Sequence, residues 1–496
     1  MGLLTLCFGL LLPWLAGVLW LDFTESLLGR KTPPNRFRQI GYGFFIGYAV
    51  LFLALIAGNT MTGTVSWLGL MVFMLVLNAS GGAAIWFNRN KNVIDNPHQQ
   101  PSLTTPVKSL TALVSVLMVI HIVFMAVEIF TQPVYPWDAW LVWVYRAKAW
   151  FLAGGMVDIV GSKYWLAATT AEPYTMAAWS YPLFPSVIPY WAALSLGHWS
   201  ETLINLPVLF AGLAIGSALY GQCREYGLSV PISITACYLL YSIPIVGTHI
   251  ELAGYADIWM TGFVGLGFIS IIVGLIKHAN AGRLNFQIVL GFLMIGFGVL
   301  VKNEGQAWFL AMLVMLALIS FKPRILILTL IAVGVIAVLA VALGFTHIYI
   351  PLIGSLGVVN GQFVIPLFGG FVLEPHSIWQ AYWTNFITMG NWNLLWVLVA
   401  VSLFLSFKPF NRPADTWHES RLRRVGLGFI LIFLATQLFI FGFTNQGRWA
   451  ESYTAINRLP LHFAPALLFT ALIMVLAFVK KKDAEISAPG VHNGSA

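Results

Sequence analysis

Charge is what this 496-residue chain has least of: Asp, Glu, Lys and Arg together supply 9% of it, against 59% hydrophobic residues. So few polar groups cannot cover a water-soluble domain of this length, and the solvent of the fold is lipid. No long polar stretch interrupts the apolar runs, which excludes a separate soluble domain, and no glycine-rich phosphate loop is present. The basic excess, +8 at neutral pH, does not point to nucleic acid, because Lys and Arg are scattered through short loops rather than gathered on one surface. Cys7, Cys223 and Cys237 have neither metal-site nor disulfide spacing and pack as small apolar side chains.

The expected fold is therefore all-α and polytopic. A spanning helix needs roughly 20 apolar residues, and thirteen runs qualify: 3–21, 39–57, 65–87, 109–131, 201–220, 229–246, 256–276, 284–301, 305–320, 324–345, 384–407, 425–443 and 460–479. The first has no basic leader and no small-residue cleavage pattern before Asp22, so it reads as a retained span rather than a signal peptide. A further apolar stretch, Tyr181 to Leu196, is short and holds Pro182, Pro185 and Pro189.

Cytoplasmic loops collect Lys and Arg. If Tyr181–Leu196 does not cross, 20 of the 26 basic residues face the cytoplasm; if it does, the 13 basic residues in later loops of that set move outside. The first arrangement is expected, with the stretch as a re-entrant or interfacial helix buried in protein or lining a cavity. The N-terminus is then outside and the C-terminus cytoplasmic. Arg146, Lys148, Lys163, Lys302, Arg448 and Arg458 are the only basic residues left on the outer face, which also carries Asp138, Asp158, Glu172, Glu251, Asp257, Glu304, Glu374 and Glu451. Ionisable groups held near hydrocarbon are costly, and are functional or paired.

Four groups on that face are candidates for chemistry. Asp138 sits among tryptophans in Tyr135-Pro-Trp-Asp-Ala-Trp140, where restricted solvation suits a general base; the competing role is helix N-capping. Glu251, Tyr255 and Asp257 open a span, and Lys302 with Glu304 occupies a near-direct hairpin between two others. Arg448, Arg458 and a proline-bracketed His462 lead into the last span, and fixed Arg and Lys donors suit phosphate. For these cations the competing role is contact with lipid headgroups.

In this order the residues resemble the C-type (GT-C) integral-membrane glycosyltransferases, the superfamily of the protein O-mannosyltransferases and the lipid A aminoarabinose transferase. The resemblance lies in an acid in the first large outer loop (Asp138), a Tyr-Pro segment (Tyr181-Pro-Leu-Phe-Pro185), a Tyr-x-Asp before a later span (Tyr255-Ala-Asp257), a Lys-x-Glu-Gly hairpin (Lys302-Asn-Glu-Gly305) and an Arg before a proline-containing late span (Arg458, Pro460, Pro465). It covers about residues 109 to 480. Residues 1–108 look like an added three-helix membrane unit, and 481–496 form a polar cytoplasmic tail. Many relatives have two adjacent acids where Asp138 stands alone, so a divalent metal is left open as a cofactor.

The resemblance implies a bundle of about 13 transmembrane helices in a bacterial inner membrane, with its active site on the periplasmic face. It implies transfer of a sugar from a polyprenyl-phosphate carrier to a lipid, polysaccharide or protein acceptor. Asp138 would take the proton of the attacking hydroxyl or amine, while Lys302 with Arg448 or Arg458 would stabilise the departing phosphate. Glu251, Asp257 and Glu304 would orient the sugar or hold the cations, with Glu172, Tyr181, Tyr255 and His462 completing the substrate site. A transporter or lipid flippase, which suits many spans and intramembrane charge, and a polysaccharide ligase or polymerase are the alternatives.

Overall fold

The computed structural model describes residues 2–30, 33–88, 103–170, 173–277, 285–344, 347–350, 354–359, 361–365, 369–407 and 417–487. It is mostly helical. The helices are α1 (Gly2–Leu27), α2 (Arg36–Thr62), α3 (Trp67–Asn88), α4 (Thr105–Thr131), α5 (Val144–Ala153), α6 (Ser162–Ala167), α7 (Phe184–Leu196), α8 (Leu206–Tyr226), α9 (Val230–Tyr241) and α10 (Pro244–Glu251). They continue with α11 (Asp257–Met260), α12 (Leu266–Lys277), α13 (Phe286–Gly298), α14 (Glu304–Ser320), α15 (Pro323–Ala342), α16 (Trp379–Trp383), α17 (Leu395–Phe407), α18 (Trp417–Phe443), α19 (Gly447–Glu451), α20 (Arg458–Leu461) and α21 (Ala464–Ser487).

Seven helical stretches among the described residues are long and apolar enough to cross a membrane, or eight if the bent pair α9–α10 is one span. Every apolar run picked out from sequence falls largely on helix; the last is interrupted at His462-Phe463, between α20 and α21, and two others are broken. A 66° bend separates α9 from α10, and the 384–407 run is continuous helix only from Leu395, because Gly390 and Asn393 take left-handed backbone conformations. The two breaks face each other. The Ile245 amide donates to the Asn391 carbonyl at 3.1 Å, and the Asn393 side chain donates to the Ser242 carbonyl. Each irregular segment thereby satisfies polar backbone that the other's break sets free, a condition for non-helical chain in an apolar environment.

Tyr181–Leu196 contains the 13-residue helix α7, about 20 Å long at 1.5 Å per residue and so shorter than a roughly 30 Å hydrocarbon core. Nearly all its side chains are buried in protein, with Trp191 donating to the Gly9 carbonyl of α1 at 2.8 Å.

The N-terminal helices belong to the same packed bundle. α1 lies along α2, and α2 along α8, through contacts that only glycine permits: a Cβ on Gly17 would stand 1.9 Å from the Gly43 carbonyl oxygen. At the far end of these helices a buried polar network ties them together. Arg38, fully buried, pairs with Glu25 and approaches Glu225 at 2.9 Å. Gln222 donates to Tyr42 at 2.9 Å and to Gln287 at 3.1 Å. Several basic residues counted above as loop charges are thus structural ion-pair partners, while Lys31, Arg89, Lys91, Arg283, Lys408, Arg412 and the tail from 488 lie outside the described residues.

One element went unforeseen: an antiparallel meander β3–β4–β5–β6, in which β3 is His347–Ile350, β4 Gly354–Val359, β5 Gln362–Ile365 and β6 Gly369–Phe371. A separate two-residue parallel pair, β1 (Ile159–Val160) and β2 (Tyr174–Thr175), is the other sheet among the described residues. Val359 pairs with Gln362 across Asn360-Gly361, a dipeptide that favours tight hairpins.

Candidate functional site

Asp138 and Asp257 both stand at helix starts, and a π-helical turn lies within the first turns of each helix: Ala139–Trp143 directly after Asp138, and Thr261–Gly265 after the α-helical turn Asp257–Met260. Such turns are rare and frequent at functional sites. The Asp138 side chain makes no capping bond to its helix, so the capping role is not realised. What brings the two carboxylates together is Gly254. Its φ of +102° turns the chain between α10 and α11, and a Cβ there would stand 2.7 Å from Cβ of Ala139, the residue after Asp138.

Arg458 bridges them. Its Nη1 donates to Asp138 Oδ2 at 2.5 Å, and its Nη2 and Nε donate to Asp257 Oδ2 at 2.8 and 3.2 Å. The guanidinium lies over the Tyr255 ring, 5.0 Å from its centre, adding a cation–π contact. On the other oxygen, Asp257 Oδ1 takes Lys302 Nζ at 3.1 Å and His462 Nε2 at 3.0 Å. Lys302 also approaches Glu304 Oε1 at 3.3 Å. The tight turn that fixes this pair depends on Gly305, whose Cβ would fall 2.2 Å from the Gly298 carbonyl oxygen.

Burial grades the cluster. Asp257 and His462 are fully buried, Lys302 is buried, and the Asp138 side chain is 33% exposed. Burial opposes the charge on Lys302, but the carboxylates of Asp257 and Glu304 outweigh it and hold the ammonium's pKa above its ordinary value. Burial likewise opposes Arg458, and Asp257 with Asp138 more than compensates. Both cations therefore stay charged. Asp257, saturated by four donor contacts, is an anchor rather than a base. Asp138 uses one oxygen for Arg458, and no group among the described residues bonds the other, which leaves the more accessible carboxylate free to accept a proton. Glu304 Oε2 is buried without a hydrogen-bond partner among the described residues.

The remaining expected residues divide. Tyr181 is half-buried beside the cluster, with its ring edge-on to Trp143 at 5.3 Å; its hydroxyl is pushed up to about 12, first by the Glu304 carboxylate and then by burial. Tyr181 is thus a neutral donor at ordinary pH. Glu251 lies apart, toward α4, where its electrostatic neighbours are His121 and Glu128. Arg448 is exposed and stacks on its own neighbour Trp449 at 5.1 Å. Glu172 is outside the described residues. The cluster therefore gathers Asp138, Tyr181, Tyr255, Asp257, Lys302, Glu304, Arg458 and His462, and it does not gather Glu251 or Arg448.

Three participants were not singled out from sequence as site residues. Trp308, fully buried, donates from its indole to His462 Nδ1 at 3.0 Å; its place four residues after Glu304, on the same helix face, was the available signal. Asn457, beside Arg458, is held by Asn385 at 2.6 Å and Trp392 at 3.0 Å, and Asn385 lies in a third π-helical turn, Thr384–Thr388. Arg146 is buried and donates to the carbonyls of Trp179, Tyr181 and Pro182 at 2.6, 3.2 and 3.4 Å, pinning the segment before α7. With no counterion among the described residues, burial pulls its guanidinium down to about 10.

Among the described residues no three His, Cys, Asp or Glu side chains form a metal-ligand group, and a divalent ion at Asp257 would have to displace Lys302 or Arg458. The helix from Asp257 to Lys277, 21 residues and about 30 Å long, separates this cluster from the Arg38 network. No family model matches the chain, and neither a curated protein nor a solved structure matches it.

Proposed function

We propose that this is a membrane glycosyltransferase that moves a sugar from a polyprenyl-phosphate carrier to an acceptor on the periplasmic side of a bacterial inner membrane, through about thirteen spans and with the Asp138 end of the bundle outward. The observation that carries the reading is Arg458 joined at once to the buried Asp257 and the accessible Asp138. The acceptor oxygen attacks the anomeric carbon. A new C–O bond forms as the bond from that carbon to the phosphate oxygen breaks; the electron pair leaves with the polyprenyl phosphate, and the acceptor's proton passes to Asp138.

Charge stabilisation of the leaving group has a constraint that spacing alone does not convey. Three carboxylates (Asp138, Asp257, Glu304) face two cations (Lys302, Arg458), so phosphate gains Arg458 only by taking a share of it from Asp138. Release of Asp138 as phosphate engages Arg458 would couple donor binding to freeing of the base. The bent α9–α10 pair favours a transporter instead, since broken helices mark transport sites near the bilayer midplane; the charged cluster, however, stands at helix ends.

Asp138→Asn tests the reading. Asn keeps the size and hydrogen-bonding capacity of Asp, and the structure gives Asp138 no capping bond to lose. Transfer from a polyprenyl-phosphate sugar by the reconstituted protein is expected to fall about 10²–10⁴-fold, the usual contribution of a positioned base, with the protein still folded. Near-normal transfer would show that Asp138 is structural.

A further inference from the structure

Behind Asp257 lies a chain of fully buried groups, Trp308, His462 and Asp257 itself, whose hydrogen-bond directions admit one arrangement. An indole N–H only donates. Trp308 Nε1, 3.0 Å from His462 Nδ1, therefore requires a bare lone pair on Nδ1. The proton of the neutral ring is then on Nε2, where it is donated to Asp257 Oδ1 at 3.0 Å. An imidazolium would turn an N–H against the indole N–H. The opposite neutral tautomer would do the same and also set the Nε2 lone pair against a carboxylate oxygen.

We infer that Trp308 locks His462 in the neutral Nε2–H form, and that His462 is thereby a positioning residue that anchors Asp257 without neutralising it, leaving the carboxylate's charge to aim Arg458 at Asp138. What Arg458 is aimed for rests on the glycosyl-transfer reading; the lock itself does not. Asp257 and Glu304 place negative charge around the ring, while burial and Lys302 oppose a positive one, and His249 lies within electrostatic reach; the indole adds a fixed direction to that balance. Histidine ordinarily titrates near pH 6.5. A ring free to protonate would bring a third cation to Asp257 and weaken its hold on Arg458.

Full-length protein labelled with ¹⁵N-histidine, in lipid bilayers, tests this by nitrogen NMR from pH 8 to 5.5, with His462→Gln identifying the His462 signals. The expected result is a neutral Nε2–H ring at every pH. In Trp308→Phe, which removes only the indole donor, that ring is expected to titrate, and transfer at pH 5.5 is expected to fall about tenfold relative to pH 8 if the freed ring titrates near 6.5, an acid limb absent from the unaltered protein. His462→Gln, which keeps a neutral donor for Asp257, is expected to show no acid limb, whatever its activity at pH 8. An imidazolium or an Nδ1–H ring in the unaltered protein would overturn the inference, as would a Trp308→Phe ring that stays locked. Should Trp308→Phe fail to fold, the spectrum of the unaltered protein and the His462→Gln profile decide. A locked ring in a protein that transfers no sugar would uphold the inference and remove the glycosyl-transfer reading.

Discussion

Asp257→Asn probes the centre of the cluster through stability alone, without any assumption about substrate. Asp257 is fully buried and accepts from Lys302, His462 and twice from Arg458. Asn keeps one oxygen but presents an NH₂ where the other stood, so either the Lys302–His462 side or the Arg458 side meets a donor. It also deletes the charge that balances the buried Lys302 and the partly buried Arg458. Removing one partner of a buried pair costs about 3–5 kcal/mol, most of it from the charge left behind. At the 33% exposed Asp138, the same change breaks a solvent-screened contact and is expected to cost about 1 kcal/mol or less. Reversible unfolding in mixed detergent, followed by tryptophan fluorescence, measures both. A double change, Asp257→Asn with Lys302→Met, is expected to recover part of the loss, because it removes one of the stranded cations. If Asp257→Asn and Asp138→Asn cost the same, or if the double change costs the sum of its parts, Asp257 is not the acceptor on which the cluster depends.

Two further predictions address the scaffold. Gly17→Val is expected to destroy the α1–α2 contact, since its Cβ would meet the Gly43 carbonyl oxygen and the Gly47 amide at 1.9 and 2.6 Å, while Gly58→Val, with nothing within 4 Å, is expected to be tolerated; the monodisperse fraction on size exclusion separates the two, and equal yields would refute the packing. Single cysteines at the exposed Ser229 and Asn303 are expected to react with impermeant thiol reagents from opposite sides of the membrane, Asn303→Cys from the periplasm, and labelling of both from one side would refute the proposed topology.

Hydrophobicity is summed along the chain and needs no partner, which is why the apolar runs are legible as helices and why the class of the protein follows from composition. The same local logic found the Lys302–Glu304 hairpin, because so short a turn between two helices leaves its side chains little choice of place. It also marked most of the cluster, since ionisable residues at the ends of apolar helices need partners. What local patterning cannot supply is which partners. Arg458 meets Asp138 across 320 positions of sequence and Asp257 across 201, and it does so because Gly254 lets the Asp138 segment close on the turn before α11. Glu251, six residues from Asp257 and of the same chemistry, is turned toward α4 instead. The π-helical turns depend on hydrogen bonds whose register the residue pattern does not announce, and the helix breaks at 242–243 and 389–394 persist because each satisfies the other's backbone. The protonation of His462 is the clearest case: its side chain alone allows three states, and only packing against Trp308 on one edge and Asp257 on the other selects one, because an indole can donate but not accept.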